Sequence, residues 1–445
     1  MSTTDPTADP STGPTTGPAV ASAVGGRAAN AGDQALVARA AALLQANGES
    51  TTVTLAAVDR LNAALGTGFR LVPGFASSTL LDGGSRPLVV VAPPTGVAMR
   101  AVATVMTAVD ESGTRRSTRT RLVDALDRAD ASGPAGLWAF VLACATGAAA
   151  LSVIFGAQDA TAVLLVALSA ALGGLLRRGL GRLRVGAIGQ VFAAAFLAGV
   201  IGGIAVNADL SSSLRLIAVC PAMILVPGPH ILNGVLDLFA QRIPLGFARL
   251  GYALVLLLSI GSGLAIALAL FGTGLPVEPV GRSVPFWLDV VAAAVAAASY
   301  PVYFAMPYRL IVWPVAVGAV AHALRWWAMN DLGWNIAVGA LVACLLVGAV
   351  MAPVSHRLHI PFAAVAFAAV VSLVPGVYVF RAIDALGGLP FGDAAGAAGA
   401  AAEATLLGAI SDGTTATIVV LAMAVGLALP KHVYGRLTRR GKQAS

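Results

Sequence analysis

Lysine and cysteine are scarce in this chain, and their scarcity excludes two kinds of site. The only lysines are Lys431 and Lys442, so a glycine-rich loop ending in lysine, which holds nucleotide phosphates, cannot form earlier in the chain. The three cysteines lie far apart inside apolar runs, so neither a disulfide framework nor a cysteine metal site is predicted. We therefore expect no metal, no cofactor and no nucleotide site.

Charged residues are also scarce. They make up 11% of the sequence, against about 25% in a typical soluble domain, and the mean hydropathy is +0.84. Residues 1–130 carry a normal share of charge, whereas nearly all of the hydrophobic excess follows Gly136. The net charge is +7, but the basic residues stand between apolar runs, which is typical of membrane topology signals and not of a nucleic-acid surface. The chain is predicted to have a soluble part and a membrane part, with no nucleic-acid partner.

The N-terminal part is predicted to be a disordered tail followed by a small domain. Residues 1–30 are rich in Pro, Thr, Gly and Ala, and they contain no basic segment leading into an apolar core, so no signal peptide is expected. Residues 31–130 predict a small α/β domain. Its helices are expected at 33–47, 51–65 and 96–111, and its strands at 69–72 and 87–91.

Ten apolar runs follow, each near the roughly 20 residues that a helix needs to cross a bilayer. They lie near 137–156, 160–176, 186–206, 214–240, 247–271, 286–305, 308–328, 334–352, 360–387 and 413–430. If the N-terminal domain lies in the cytoplasm, most arginines between runs fall in cytoplasmic loops. This asymmetry predicts a multi-pass protein of the plasma membrane, in contact with its lipids, with both termini and the basic tail 436–445 in the cytoplasm.

A repeat relates the two halves of the membrane part. The tetrapeptide Leu-Val-Pro-Gly at 225–228 recurs at 373–376, an offset of 148 residues that also relates the starts of other spans. Because each half has five spans, an odd number, the second half (286–435) must cross the membrane in the opposite direction to the first (137–272). The predicted fold class is an α-helical polytopic membrane protein with two inverted five-helix repeats, a common plan of secondary transporters.

The fourth span is predicted to be broken. Pro227, Gly228 and the following proline cannot continue a straight helix, because proline removes a backbone donor and glycine resists helical order. Freed carbonyls in a bilayer are tolerated beside protein or water, so the break is expected to face an internal cavity. The second half-helix would point its positive end at mid-membrane, where it can receive a carboxylate. His230, Asn233 and Asp237 share one face of it.

The ninth span carries the equivalent break. Pro375 and Gly376 are followed by Tyr378, Arg381 and Asp384 at a spacing of three and three. Polar residues within a span are expensive and often functional, so both sets are candidate transport residues. The alternatives are an ordinary kink for the Pro-Gly pairs, helix ends at the interface for the two aspartates, and an Arg381–Asp384 pair.

These features together resemble the threonine/serine exporter family. The resemblance covers about residues 33–435. In the membrane part it rests on Pro227, Gly228, Asn233 and Asp237, and on the second copy of the Pro-Gly pair. In the N-terminal domain it rests on Leu43, Leu44, Asn47, Gly48, Glu49, Thr52 and Asp59. The resemblance implies export of small hydroxylated amino acids driven by the proton motive force, and some split-chain relatives are linked to dicarboxylate export.

The leading hypothesis is a proton-coupled exporter of small amino acids such as threonine and serine, with Asp237 or His230 carrying the proton. A dicarboxylate exporter is the rival within transport. A membrane-anchored enzyme is a rival of another class, but no histidine precedes His230, which disfavours a Ser-His-Asp hydrolase built around Ser78 in the N-terminal domain. A sensory module is a third rival. We predict no catalytic residues, and the sequence leaves the oligomeric state open.

Overall fold

The computed structural model describes residues 31–444 except 83–86, 95, 113–114, 158, 211–213, 276–283 and 389–397. The tail predicted at 1–30 lies outside the described residues. The described chain is mostly helical and forms an N-terminal unit (residues 31–131) and a membrane unit (residues 137–444).

The described part of the N-terminal unit consists of four helices and three short strands. In chain order these are α1 (Ala31–Ala46), α2 (Thr51–Leu65), β1 (Arg70–Pro73), β2 (Ser77–Leu81), β3 (Leu88–Val91), α3 (Met99–Asp110) and α4 (Arg115–Ala131). Helices are present at the three predicted places, but α3 begins at Met99 and not at residue 96, and a fourth helix, α4, follows. Helix α2 ends at Gly66 because that residue adopts φ 66°, the left-handed conformation that glycine permits. Apolar residues of α1, α2, α3 and α4 form a core of their own.

Strand β2 was not predicted from the sequence. It lies between β1 and β3 and pairs antiparallel with both. Its first three residues are hydroxylated, so no apolar run marks it, yet the alternating burial of Ser78 and Leu80 is that of a half-buried strand. Among the described residues the sheet therefore has three strands, whereas the sequence indicated two.

The membrane unit consists of twelve helices within the described residues. They are α5 (Leu137–Ile154), α6 (Ala160–Arg182), α7 (Ala187–Asn207), α8 (Leu214–Met223), α9 (Gly228–Phe239), α10 (Ile243–Ala269), α11 (Phe286–Tyr303), α12 (Val312–Asn330), α13 (Ile336–Leu358), α14 (Phe362–Val370), α15 (Gly376–Gly388) and α16 (Ala398–Ala444). In the described part of the chain, eight stretches are long and apolar enough to cross a membrane, and two bent pairs raise the number to as many as ten. The protein is therefore polytopic.

The last helix begins earlier and ends later than predicted. The sequence placed the tenth span at 413–430, after a Gly/Ala-rich insertion, whereas α16 already begins at Ala398 and continues through the basic tail to Ala444. Alanine is the strongest helix former, so the described part of the insertion extends the helix instead of interrupting it.

Both predicted breaks are present. The α8–α9 pair bends by 51° at Ile224–Pro227, and the α14–α15 pair bends by 72° after a 3-10 turn at Val371–Leu373. Proline and glycine at these positions prevent a continuous hydrogen-bond ladder. The hydroxyl of Tyr300, from α11, donates to the carbonyl of Met223 at 3.4 Å and so partners one oxygen at the first break.

Each broken helix packs its glycine against the other. A Cβ atom at Gly228 would lie 1.8 Å from Cε2 of Phe367 in α14, and one at Gly376 would lie 2.9 Å from Cγ of Met223 in α8. Only a residue without a side chain allows such approaches. The starts of α9 and α15 therefore lie against the opposite broken helix in the interior of the membrane unit.

The same helix pairs pack in both halves. In the first half, α10 packs along α7 and α9, and α8 packs on α5, α6 and α7. In the second half, α16 packs along α13 and α15, and α14 packs on α11, α12 and α13. Helices α5 and α11 pack against each other and join the two halves.

The N-terminal unit docks on one end of the membrane unit. The Met99 amide donates to the Phe304 carbonyl at 3.0 Å, and Asp110 pairs with Arg60 of its own unit and with His359 at the end of α13. His359 is half-buried in this contact. The docking brings the turn between α1 and α2 against the end of α9.

Replacing Gly228 with alanine tests whether the broken helices pack as closely as described. The added methyl group would overlap the Phe367 ring, so Gly228→Ala is expected to lower the free energy of unfolding by about 1–3 kcal/mol. The thermal unfolding midpoint of the purified protein in detergent measures this loss. Gly251→Ala is the matched control, because a Cβ atom there meets nothing within 4 Å. Equal midpoints for the two variants would contradict the packing.

Candidate functional site

The polar face of α9 is buried. Asn233 and Asp237 are 4% and 2% exposed, although they lie near the end of a membrane helix. His230, one turn closer to the break, is half-buried, and its ring meets the Tyr252 ring of α10 edge-on at 5.2 Å between centroids. Asp237 is therefore buried by protein, although it lies near a helix end.

Asp237 is held by two arginines. Its Oδ1 lies 3.3 Å from a terminal nitrogen of Arg242, and its Oδ2 lies 3.4 Å from Nε of Arg249. Arg249 is on α10 and is itself only 8% exposed. A buried carboxylate is tolerated only when it is paired and hydrogen-bonded, and these contacts meet that requirement.

The α1–α2 turn of the N-terminal unit covers this ion pair. The Thr51 hydroxyl donates to Oδ2 of Asp237 at 3.1 Å and accepts from Arg249 at 3.2 Å. Nδ2 of Asn233 donates to the Gly48 carbonyl at 3.0 Å, and Arg242 donates to the Thr52 hydroxyl at 3.0 Å. Sequence reasoning missed this contact because it joins residues 186 positions apart with no shared pattern.

Glu49 of the turn and Lys431 of α16 add two further charges that interact electrostatically. The Glu49 carboxylate, 3% exposed, accepts from the Ser50 amide at 2.6 Å and from the Ser50 hydroxyl at 3.1 Å. Burial raises the pKa of Glu49, and the positive charges of Lys431 and Arg249 partly oppose that shift. Nζ of Lys431, on α16, is buried 4.3 Å from the centre of the Phe362 ring, and it has no hydrogen-bond partner among the described residues.

These residues form one buried set at the end of α9, which we call the α9 mouth. Its carboxylate is Asp237, its bases are Arg249 and Lys431, and its amide is Asn233, whereas Glu49 belongs to the turn that covers it. Charges of both signs together with hydroxyl-binding groups suit a small zwitterion better than an apolar solute. The sequence identified only the two α9 residues of this set.

The polar residues after the second break have different partners from those predicted. Nε of Arg381 pairs with Asp412 of α16 at 3.0 Å, and its guanidinium lies 5.9 Å from the Tyr378 ring centre. The carboxylate of Asp384 accepts from the Leu275 amide at 2.7 Å, beyond the end of α10. Asp412 was not singled out because the sequence placed it outside the last span.

A buried acid–imidazole pair in the second half was also missed. Nδ1 of His322, on α12, lies 3.3 Å from Oδ2 of Asp289 on α11, and the two residues are 1% and 5% exposed. The Arg325 guanidinium, also on α12, lies close enough to interact electrostatically with Asp289. The signal was present, because all three residues fall inside predicted apolar spans, where ionisable residues are rare.

Ser78, the serine considered for a hydrolase site, is a buried residue of β2. The Ser78 hydroxyl is 3% exposed and donates to Oε1 of Gln45 at 2.6 Å, which fixes β2 on α1. Within the described residues, no group of three His, Cys, Asp or Glu side chains is arranged to hold a metal ion. Ser78 is therefore explained by packing.

Family comparisons agree with the arrangement of the chain. A family model for threonine/serine exporters matches residues 35–271, and a second, described as "Threonine/Serine exporter, ThrE", matches residues 289–433. No solved structure matches the chain. The two matches together extend from α1 to the last helix, including both breaks and the α9 mouth. The chain therefore belongs to the threonine/serine exporter family and is a polytopic membrane transporter.

Proposed function

We propose that the protein exports threonine and serine across the plasma membrane in exchange for protons. The observation that carries the proposal is the α9 mouth, where the buried Asp237 carboxylate, two bases and the Asn233 amide lie at the end of a broken helix. Asp237 and Arg249 together bind a hydroxyl there. A free hydroxy amino acid presents a carboxylate, an ammonium and a hydroxyl, and the α9 mouth offers complementary groups for all three. The family membership of the chain points to the same substrate class.

The transport path runs along the two breaks in this proposal. The substrate-contacting set is Pro227, Gly228, His230, Asn233, Asp237, Pro375, Gly376, Tyr378, Arg381 and Asp384. The starts of α9 and α15 carry backbone donors that favour a carboxylate. Because the breaks pack on one another, movement at one is transmitted directly to the other.

Two inverted five-helix repeats would supply the alternating access that export requires. The broken helix is the fourth span of each half, and the matching helix pairs pack alike in the two halves. Arg177 and Arg325, both on the second span of their half, are also related by the 148-residue offset. Under this plan residues 137–272 and 286–435 are related by an axis in the membrane plane.

Both termini lie in the cytoplasm in this proposal. The N-terminal unit, as a cytoplasmic domain, covers the end of α9, and the basic end of α16 is on the same side. This sidedness places the arginine-rich connections inside, as membrane topology favours.

The Asp289–His322 pair is the proton carrier that the structure favours. The Asp289 carboxyl and the His322 imidazole lie 3.3 Å apart, buried in apolar spans. A pair of this kind can take up and release a proton without breaking a salt bridge to arginine. Protonating Asp237 instead would break two buried ion pairs, with Arg242 and Arg249. Asp237 is therefore assigned to substrate binding and not to proton transfer, a revision of the sequence-based hypothesis.

Reporter fusions test the sidedness. A fusion after residue 130 and a fusion after Ser445 should both report the cytoplasm, because an even number of spans separates them. A third fusion, within 276–283, should report the outside. Opposite sides for the first two fusions would contradict an even number of spans.

Transport by Asp289→Asn tests the proton carrier. In vesicles loaded with labelled L-threonine, this variant should lose net export driven by a pH gradient, because asparagine cannot carry the proton. Exchange of internal for external threonine should persist, since it needs no net proton movement. Asp237→Asn should lose both activities, because it removes a substrate contact.

Asp331→Asn is the matched control, since Asp331 is exposed just after α12, and it should behave like wild type. Labelled succinate serves as the alternative substrate and should not be exported. Gradient-driven net export by Asp289→Asn at the wild-type rate would rule out the proton role. Export of succinate in place of threonine would favour the dicarboxylate alternative.

A further inference from the structure

The turn that covers the α9 mouth has substrate-like chemistry. Its sequence is Gly48-Glu49-Ser50-Thr51-Thr52, and its buried residues Glu49 and Thr51 present a carboxylate and a hydroxyl. These are two of the three polar groups of free threonine or serine. The turn delivers both groups into the buried set that the proposed function assigns to the substrate.

The Thr51 hydroxyl makes the contacts that a substrate hydroxyl would make. It donates to Asp237 at 3.1 Å and accepts from Arg249 at 3.2 Å. A site that uses both hydrogen bonds of a hydroxyl discriminates strongly against an isostere that lacks one, because its buried polar groups would then be unpaired. The place that Thr51 fills is therefore a specific hydroxyl site.

Two buried atoms of the α9 mouth are left unsatisfied by the turn. Oδ1 of Asn233 has no donor, and Nζ of Lys431 has no acceptor, among the residues that the structure describes. Buried polar atoms without partners are uncommon. An amino acid would supply both missing partners, an ammonium for the Asn233 oxygen and a carboxylate for the Lys431 nitrogen. The turn fits the α9 mouth only in part, and the free amino acid would complete it.

We propose that the Gly48–Thr52 turn is an internal pseudosubstrate. It closes the α9 mouth from the side of the N-terminal unit, and threonine or serine must displace it to bind. Thr51 marks the position of the substrate hydroxyl, Lys431 binds the substrate carboxylate, and Oδ1 of Asn233 accepts from the ammonium. This inference rests on the proposed function. It adds that the Gly48–Thr52 turn occupies the substrate site and that the substrate competes with the turn for it.

Displacement of the turn does not require release of the N-terminal unit. The unit is also anchored by Met99 against Phe304 and by Asp110 against His359, away from the turn. Gly48, at the start of the turn, already adopts φ 89°, a conformation that glycine reaches at little cost. A local change at this glycine can lift the turn while the rest of the unit stays in contact.

Threonine exchange in proteoliposomes containing the full chain tests the proposal with Thr51→Val. Valine keeps the shape of threonine but loses both hydroxyl contacts, so the substrate competes with a weaker occupant. The half-saturating L-threonine concentration is expected to fall at least about tenfold, because a single lost hydrogen bond to a charged group already corresponds to a change of that size. Thr51→Ser retains the hydroxyl and should resemble wild type. Thr107→Val is the matched control, because its exposed hydroxyl bonds only to the Ala103 carbonyl of its own helix.

Hydrogen–deuterium exchange on the wild-type chain tests the competition without a substitution. L-threonine should accelerate amide exchange in the segment 47–54, and L-valine, its isostere without the hydroxyl, should not. The proposal would be overturned if the half-saturating concentration in Thr51→Val were unchanged or raised. It would also be overturned if threonine left amide exchange in 47–54 unaltered. Either result would mean that the turn only connects the two units and does not compete with the substrate. Wild-type vesicles that exchange no threonine would instead refute the proposed function itself, which is a distinct result.

Discussion

The carboxylate of Asp237 imposes the constraint on which the candidate site depends. It is buried near the end of a broken membrane helix, where an unpaired charge would be too costly. Arg242, in the connection after α9, and Arg249, on α10, neutralise its charge. Thr51 adds a hydrogen bond from the N-terminal unit. The pairing therefore fixes α9 against α10 and brings the N-terminal unit to the mouth of the proposed path.

The broken helices impose a second constraint, because a helix interrupted inside a membrane must satisfy its freed backbone groups within the protein. Tyr300 partners the Met223 carbonyl, and the glycines of the two breaks pack against Phe367 and Met223. Close packing of this kind couples the two halves. It also explains why the breaks require glycine after proline, since any side chain at Gly228 would collide with the aromatic ring.

The sequence predicted the features that arise from local chemistry. Apolar length located the membrane helices, and the Pro-Gly pairs located both breaks to within a residue or two of their observed positions. Elements set by tertiary context were not predicted. Strand β2 is such an element, because no apolar run marks it. The start of α16 at Ala398 was missed for a different reason, because the span prediction followed apolar length and not the helix propensity of alanine.

The candidate site was predicted in part. Asn233 and Asp237 were predicted because polar residues inside a span are conspicuous. Their partners come from the N-terminal unit, from α10 and from α16. No sequence spacing connects these elements, so the partners were not predicted. Asp289 and His322 are also polar residues within spans, but they lie on helices without a Pro-Gly break and were not predicted. Pairing across distant helices is a property of the fold, so Lys431 and Glu49 could be recognised as neighbours only in three dimensions.

The central claim is that the α9 mouth is the substrate site and that the N-terminal turn closes it. A cryo-electron-microscopy structure of the full chain with saturating L-threonine tests this claim most directly. The account predicts amino-acid density between Asp237, Arg249 and Lys431, with the 48–52 turn moved out of the α9 mouth. Threonine density elsewhere, with Thr51 still bonded to Asp237, would contradict it.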